Sequence, residues 1–123
     1  IARSGEGTIG KVALIDNEDV NAVFADFTMR VRLQNYNHQF AYYYFRSLFF
    51  QHLVEHNKKG LGNNTNIFPS QIQEFPMLDF PLDKQQEIVE KIKHRIEEQQ
   101  AFTFQIEAKR NEIEKIILDT LTF

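Results

Sequence analysis

The sequence predicts an α+β chain in which short antiparallel strands pack on an aromatic-rich helix and one long coiled-coil-like helix follows. Three observations predict it. From Phe27 to Leu33 apolar and polar residues alternate, the period of a strand with one buried and one wet face. From about Gln39 to His56 the apolar positions take helical spacing and are largely aromatic. From Pro81 to Leu121 a charged helical pattern runs with no glycine and with no proline after its first residue. The expected division is a compact domain over 1–80 and a spacer or dimerisation helix over 81–123.

The long helix sets the terms for the rest. At about 1.5 Å per residue it extends roughly 60 Å, whereas a compact domain of this size has a radius of gyration of about 14 Å. Much of it must therefore lie along another surface. Val89, Ile92, Ile96, Ile106, Ile113 and Ile117 follow a heptad-like spacing, widened by Ile88, Phe102, Ile116 and Leu121 and interrupted by Gln99, Thr103, Arg110 and Thr120. Such a seam predicts docking on another long helix, either intramolecular or from a second copy. One face of an ordinary helical bundle is the alternative. Pro81 suits a first helical turn, and Asp83 and Glu87 place negative charge at the positive end of the helix dipole. Glu87 with Lys91 and Glu107 with Arg110 are expected to pair across one turn on a solvated face.

Composition narrows the class. With 42% hydrophobic and 25% charged residues, and twelve Phe, the chain has enough apolar material for a core. It has no Cys, which excludes disulfides, thiolate metal sites and a cysteine nucleophile. No apolar run approaches the roughly 20 residues of a membrane span, so the expectation is a cytoplasmic protein without a membrane partner. Net charge is −3, with 7 basic and 8 acidic residues in 1–80 and 7 and 9 in 81–123. Neither part has the bulk positive charge of a typical nucleic-acid binder, so any DNA contact must come from a local patch.

Taken in order, Ile1-Ala2-Arg3-Ser4 reads as the middle of an element, which suggests a piece of a longer protein. Gly5 to Lys11 superficially matches the dinucleotide fingerprint G-x-G-x-x-G. That fingerprint requires a helix opening at the glycines, whereas Lys11 to Ile15 is β-prone and stops at a turn, Asp16-Asn17. A glycine-rich hairpin fits better. Val20 to Phe24 is expected to form a further short strand. In the Phe27–Leu33 strand, Arg30 and Arg32 share the wet face; solubility is their plainest role and phosphate contact the functional alternative.

His52-Leu53-Val54-Glu55-His56 matches the inverted zincin pattern H-x-x-E-H. No downstream acid completes it, and histidine near a helix C-terminus is favoured by the dipole alone, so neither a metal site nor a catalytic residue is assigned. Lys58 to Asn66 (Lys-Lys-Gly-Leu-Gly-Asn-Asn-Thr-Asn) combines cations, flexible backbone and amide side chains. Lys58 and Lys59 suit phosphates, and Asn63, Asn64 and Asn66 suit base edges. An idle surface loop is the competing reading. Asn63-Asn64-Thr65 is formally a glycosylation sequon, expected to be silent in a cytoplasmic protein. Ser70 to Gln73 reads as a capping box for one helical turn, and Phe75 to Leu78 as a last edge strand, since Pro76 cannot sit in a central ladder.

Arg3-Ser4-Gly5 through Ile9-Gly10-Lys11, the aromatic helix, the Gly/Asn loop, Ser70 to Phe75, and the run from Phe80 to Val89 occur in an order that resembles the specificity subunit of type I restriction-modification enzymes. The resemblance covers essentially the whole chain: the C-terminal part of a target recognition domain, then the conserved spacer helix. Its most specific part is the proline-leucine-acid-x-Gln-x-x-Ile-Val signature, met by Pro81, Leu82, Asp83, Gln85 or Gln86, Ile88 and Val89. The resemblance implies a non-catalytic reader of double-stranded DNA. Methyltransferase subunits and a restriction subunit would dock on it, and S-adenosylmethionine would be held by the methyltransferase rather than by this chain. The family's full recognition domain includes an N-terminal portion that this sequence lacks. The recognition tail of a single-chain methylase-endonuclease is an alternative, and so is a helix-mediated interaction domain without a DNA role. The expected DNA-contacting set is Lys58, Lys59, Asn63, Asn64 and Asn66, with Arg3 and Lys11 from the glycine hairpin and Arg30 and Arg32 as further candidates.

Overall fold

The structure, a computed structural model, describes residues 1–15 and 23–121, apart from the side chain of Asn63. Among the described residues four α-helices form: α1 (His38–Phe45), α2 (Leu48–Asn57), α3 (Pro69–Gln73) and α4 (Leu82–Leu121), with a 3₁₀ turn at Gly62–Asn64 between α2 and α3. The chain divides into two units, Ile1–Gln86 and Glu87–Phe123.

The expected α+β class is not found. The chain is mainly helical, and the described residues contain no sheet. Only isolated antiparallel bridges occur, Ala2 with Thr28, Ser4 with Asn66 and Lys59 with Asn66. The reason lies in what alternation reports. Along 27–33 the burial pattern is largely as expected, with Met29 buried, Val31 and Leu33 half-buried, and Arg30 and Arg32 exposed; Phe27 departs from it and is exposed. One-sided burial needs only a core to lean on, whereas a strand needs a neighbour to exchange backbone hydrogen bonds. Here the ladder lasts only between Ile1–Arg3 and Phe27–Met29: Arg3 N donates to Phe27 O at 2.8 Å and Met29 N to Ile1 O at 2.7 Å. The strand expected at 20–24 and the turn at Asp16-Asn17 fall wholly or partly outside the described residues.

The core of the first unit is built by α1, α2 and the segments leaning on them. Met29, Ala41, Tyr44, Phe45, Phe50, Val54 and Ile67 form one buried cluster. Phe50 sits at its centre, 4.8 Å ring to ring from Phe45 and edge-on to Tyr44 and Phe75 at 5.6 Å each, separations at which aromatic pairs attract beyond their buried area. The helix expected over 39–56 is broken at Arg46-Ser47. Ser47 caps α2, its Oγ accepting from Phe50 N at 3.3 Å while donating to Tyr44 O at 2.6 Å. Serine competes well for that role because its hydroxyl replaces the missing helical partner. α3 starts earlier than the Ser70 capping box predicts, with Pro69 in the first turn and Gln71 Oε1 accepting from Phe68 N at 2.9 Å.

The expected edge strand at 75–78 is instead irregular backbone tied down by two tyrosines. Tyr44 donates to Pro76 O, and Tyr36 donates to Leu78 O at 2.9 Å. Burial pushes both phenol pKa values up, so each hydroxyl remains a donor.

In the second unit, α4 runs on as one helix. Lys91 and Glu87 pair at 2.9 Å as expected. Lys109 pairs with Glu112 at 3.2 Å, and the expected pair of Glu107 with Arg110 does not form. From Gln99 to Leu121 every described residue is exposed, including Phe102, Phe104, Ile106, Ile113, Ile116, Ile117, Leu118 and Leu121.

Candidate nucleic-acid interface

Two loops of the first unit are stitched together by backbone. Residues 4–10 turn on Gly5, Gly7 and Gly10; residues 58–66 follow α2. Ser4 bridges Asn66, Gly5 N donates to Thr65 O at 3.1 Å and Ile67 N to Arg3 O at 2.8 Å. Lys59 and Asn66 exchange both hydrogen bonds at 2.8 and 2.7 Å, closing the second loop at its base. Inside it the Thr65 hydroxyl donates to Gly62 O at 2.6 Å. Gly60 is required at its position: its φ is +101°, and an added Cβ would run into the Asn64 carbonyl.

This arrangement brings the two sequence-predicted groups around Arg3 and around Lys59 to one place, but the side chains differ in what they have left to offer. Arg3 is held by Asp26, its Nε donating to the backbone carbonyl at 2.6 Å and a terminal nitrogen to the carboxylate at 3.1 Å. Lys58 is held by Glu55 at 2.6 Å. Lys59 and Lys11 are exposed, and their side chains have no partner among the described residues. Asn66 turns inward, donating from Nδ2 to Asn64 O at 3.0 Å, which makes it part of the loop's frame. Asn64 is exposed with its side chain free among the described residues. Asn63 lies in the 3₁₀ turn; its side chain is outside the described part.

Arg30 and Arg32 lie elsewhere, along a cleft of about 250 Å³ lined by Met29, Val31, Leu33, Phe45, Phe50 and Ile72 among others. Its lining is mainly apolar, with Gln73 and the two arginines as the polar residues, and both arginines are exposed and without an ion pair among the described residues.

Sequence reasoning passed over Glu6. It sits at the tip of the first loop, and its carboxylate oxygen lies 3.9 Å from where a Cβ on Gly62 would stand. No local pattern announces this, because the neighbourhood is made by hydrogen bonds between residues 4–5 and 65–66.

The H-x-x-E-H match does not assemble as a hydrolase site. The rings of His52 and His56 lie 4.0 Å apart, and the Nδ1 of His56 is 3.1 Å from the His52 carbonyl, at which it can only donate. Glu55 is engaged by Lys58 instead. Among the described residues no group of three or more His, Cys, Asp or Glu is placed to hold a metal ion.

The expected helix-docking positions divide. Val89 is fully buried and Ile92 and Ile96 are half-buried, whereas Ile106, Ile113 and Ile117 are 53%, 59% and 49% exposed. No helix among the described residues is long and apolar enough to cross a membrane.

The first unit is thus a small aromatic-cored body with two stitched polar loops, and more than half of the long helix offers apolar residues to solvent. The chain belongs to the type I restriction modification DNA specificity domain family, whose model matches residues 1–115. No curated protein and no solved structure matches it. Domains of this family are generally DNA-recognition components without catalysis of their own.

Proposed function

We propose that the chain is the sequence-reading and spacing part of a restriction-modification specificity subunit, directing adenine methylation and restriction carried out by partner subunits. The family match carries the reading. The stitched loops add a surface of suitable chemistry: Lys59 and Lys11 offer cations for phosphates, and Asn64 offers an amide for a base edge. Restrained loops lose less freedom on binding than slack ones, which favours affinity.

The exposed apolar positions of α4 support a second contact. Ile106, Ile113 and Ile117 recur at heptad spacing on a helix that has nothing of its own to cover them. Another long helix, intramolecular in the complete subunit or from a second copy, is the fitting partner. Methyltransferase and restriction subunits would then assemble on the joined helices, with S-adenosylmethionine held by the methyltransferase.

The test is selection from a randomised duplex library by the complete specificity subunit assembled with its methyltransferase, followed by adenine methylation of the selected duplex. The expected result is one bipartite consensus, methylated at adenine. Enrichment of no consensus would sink the reading.

A further inference from the structure

The carboxylates around the two loops are unequal. Asp26 holds Arg3 and Glu55 holds Lys58, each in an ion pair. Glu6 is exposed at the loop tip, holds no cation among the described residues, and lies over Gly62 of the loop that also carries Lys59 and Asn64. An ionised carboxylate can only accept hydrogen bonds. Against a phosphate backbone it is repelled, because phosphates also offer only negative charge and acceptors. In a DNA-contacting loop it is compensated only where the nucleic acid presents a donor, and the donors on a duplex are the amino groups of base edges. In the major groove, the partner suited to a carboxylate is the N4 amino group of cytosine.

Resting on the DNA-recognition reading above, we propose that Glu6 is a specificity-determining residue, accepting a hydrogen bond from the N4 amino group of one cytosine in the recognised sequence. Its position is fixed by backbone rather than by its own contacts: Gly5 N on Thr65 O and Ser4 against Asn66 hold the loop tip beside the Gly62–Asn64 turn. The carboxylate also acts against wrong sites, since a base edge that presents an acceptor there meets a second acceptor with no proton to share.

The experiment repeats the library selection with the complete subunit and its methyltransferase, using wild type, Glu6→Ala and Glu6→Gln. Glu6 makes no bond among the described residues, so both variants should melt with the wild type. Glu6→Ala should reduce discrimination at one C·G pair about tenfold or more, with all other positions unchanged. Glu6→Gln should shift preference at that pair toward A·T, because an amide both donates and accepts as adenine requires. The same consensus with the same discrimination in all three proteins would overturn the proposal. So would a uniform loss of affinity with the consensus kept, which marks a structural role. A wild type that selects no consensus would overturn the DNA-recognition reading and this proposal with it, an outcome distinct from the other two.

Discussion

The backbone N–H of Asn37 donates to Oε1 of Gln85 at 2.9 Å, tying the cap of α1 to the first turn of α4. Gln85 is 2% exposed, and its Nε2 donates to Phe80 O at 2.7 Å. Asn37 is used as fully: its Oδ1 caps α1 by accepting from Phe40 N at 3.0 Å, and its Nδ2 donates to Gln86 Oε1 at 2.8 Å. Both glutamines of the Pro-Leu-Asp-x-Gln run therefore meet Asn37, but only Gln85 is buried. A glutamine serves there because one side chain must accept from one part-buried backbone group and donate to another.

Gln85→Ala should accordingly destabilise the first unit by about 2–4 kcal/mol, since it leaves Asn37 N and Phe80 O without partners and opens a void. Gln86→Ala, at an exposed position, should cost about 1 kcal/mol or less. Urea titration of both variants gives the comparison, and equal midpoints would show that burial of Gln85 carries no weight.

The backbone of the second loop makes its own prediction. Gly60→Ala meets both a left-handed φ and the Asn64 carbonyl, so it should cost more than about 2 kcal/mol. Gly7→Ala, at φ +75° with open space around it, should cost only about 1 kcal/mol. Thermal melts of the two variants rank them.

What was legible in the sequence depended on range. α4 was legible to within a residue at its start, because forty residues of periodic pattern overwhelm local exceptions. The break between α1 and α2 was not, since Ser47 reads equally as a polar residue on a continuous helix and the deciding bond runs to the backbone of Tyr44. The absent sheet was not legible either: alternation at 27–33 reports which face is buried and is silent on whether a neighbouring strand exists. In the candidate interface, residue types pointed to Lys59 and Asn64. That Glu55 occupies Lys58, that Asn66 braces the loop and that Glu6 joins it all depend on side-chain geometry and cross-loop bonds that no linear pattern carries.

The exposed half of α4 should be needed for assembly and dispensable for the first unit's fold. Ile113→Asp with Ile117→Asp leaves the first unit untouched but places carboxylates where a helix partner would bury them, at a cost of several kcal/mol. Sedimentation velocity of the complete complex should show loss of assembly. Unchanged sedimentation of the double variant would rule out the docking role.

His52→Ala with His56→Ala should leave methylation and cleavage by the assembled enzyme intact, since Glu55 is turned to Lys58 and no third ligand joins the pair among the described residues. Activity assays with and without a chelator check this. Loss of activity that follows both chelation and the double substitution, with folding preserved, would restore a metal role.

The two adjacent lysines should separate in DNA binding. Both are cations of one loop, but Lys58 already neutralises Glu55 at 2.6 Å, whereas Lys59 has no side-chain partner among the described residues. Releasing a condensed counterion requires a charge that is free to replace it. Lys59→Ala should therefore lower the magnitude of the slope of log affinity against log salt by about one unit, uniformly across sequences. Lys58→Ala should change it less, because the Glu55 carboxylate it unmasks and the cation it removes were compensating each other. A salt series on the assembled complex, run on cognate and unrelated duplexes, reads both variants at once. If Lys58→Ala reduced the slope as much as Lys59→Ala did, the ion pair with Glu55 would have to open on binding, and the assignment of Lys59 as the principal phosphate contact of this loop would fall.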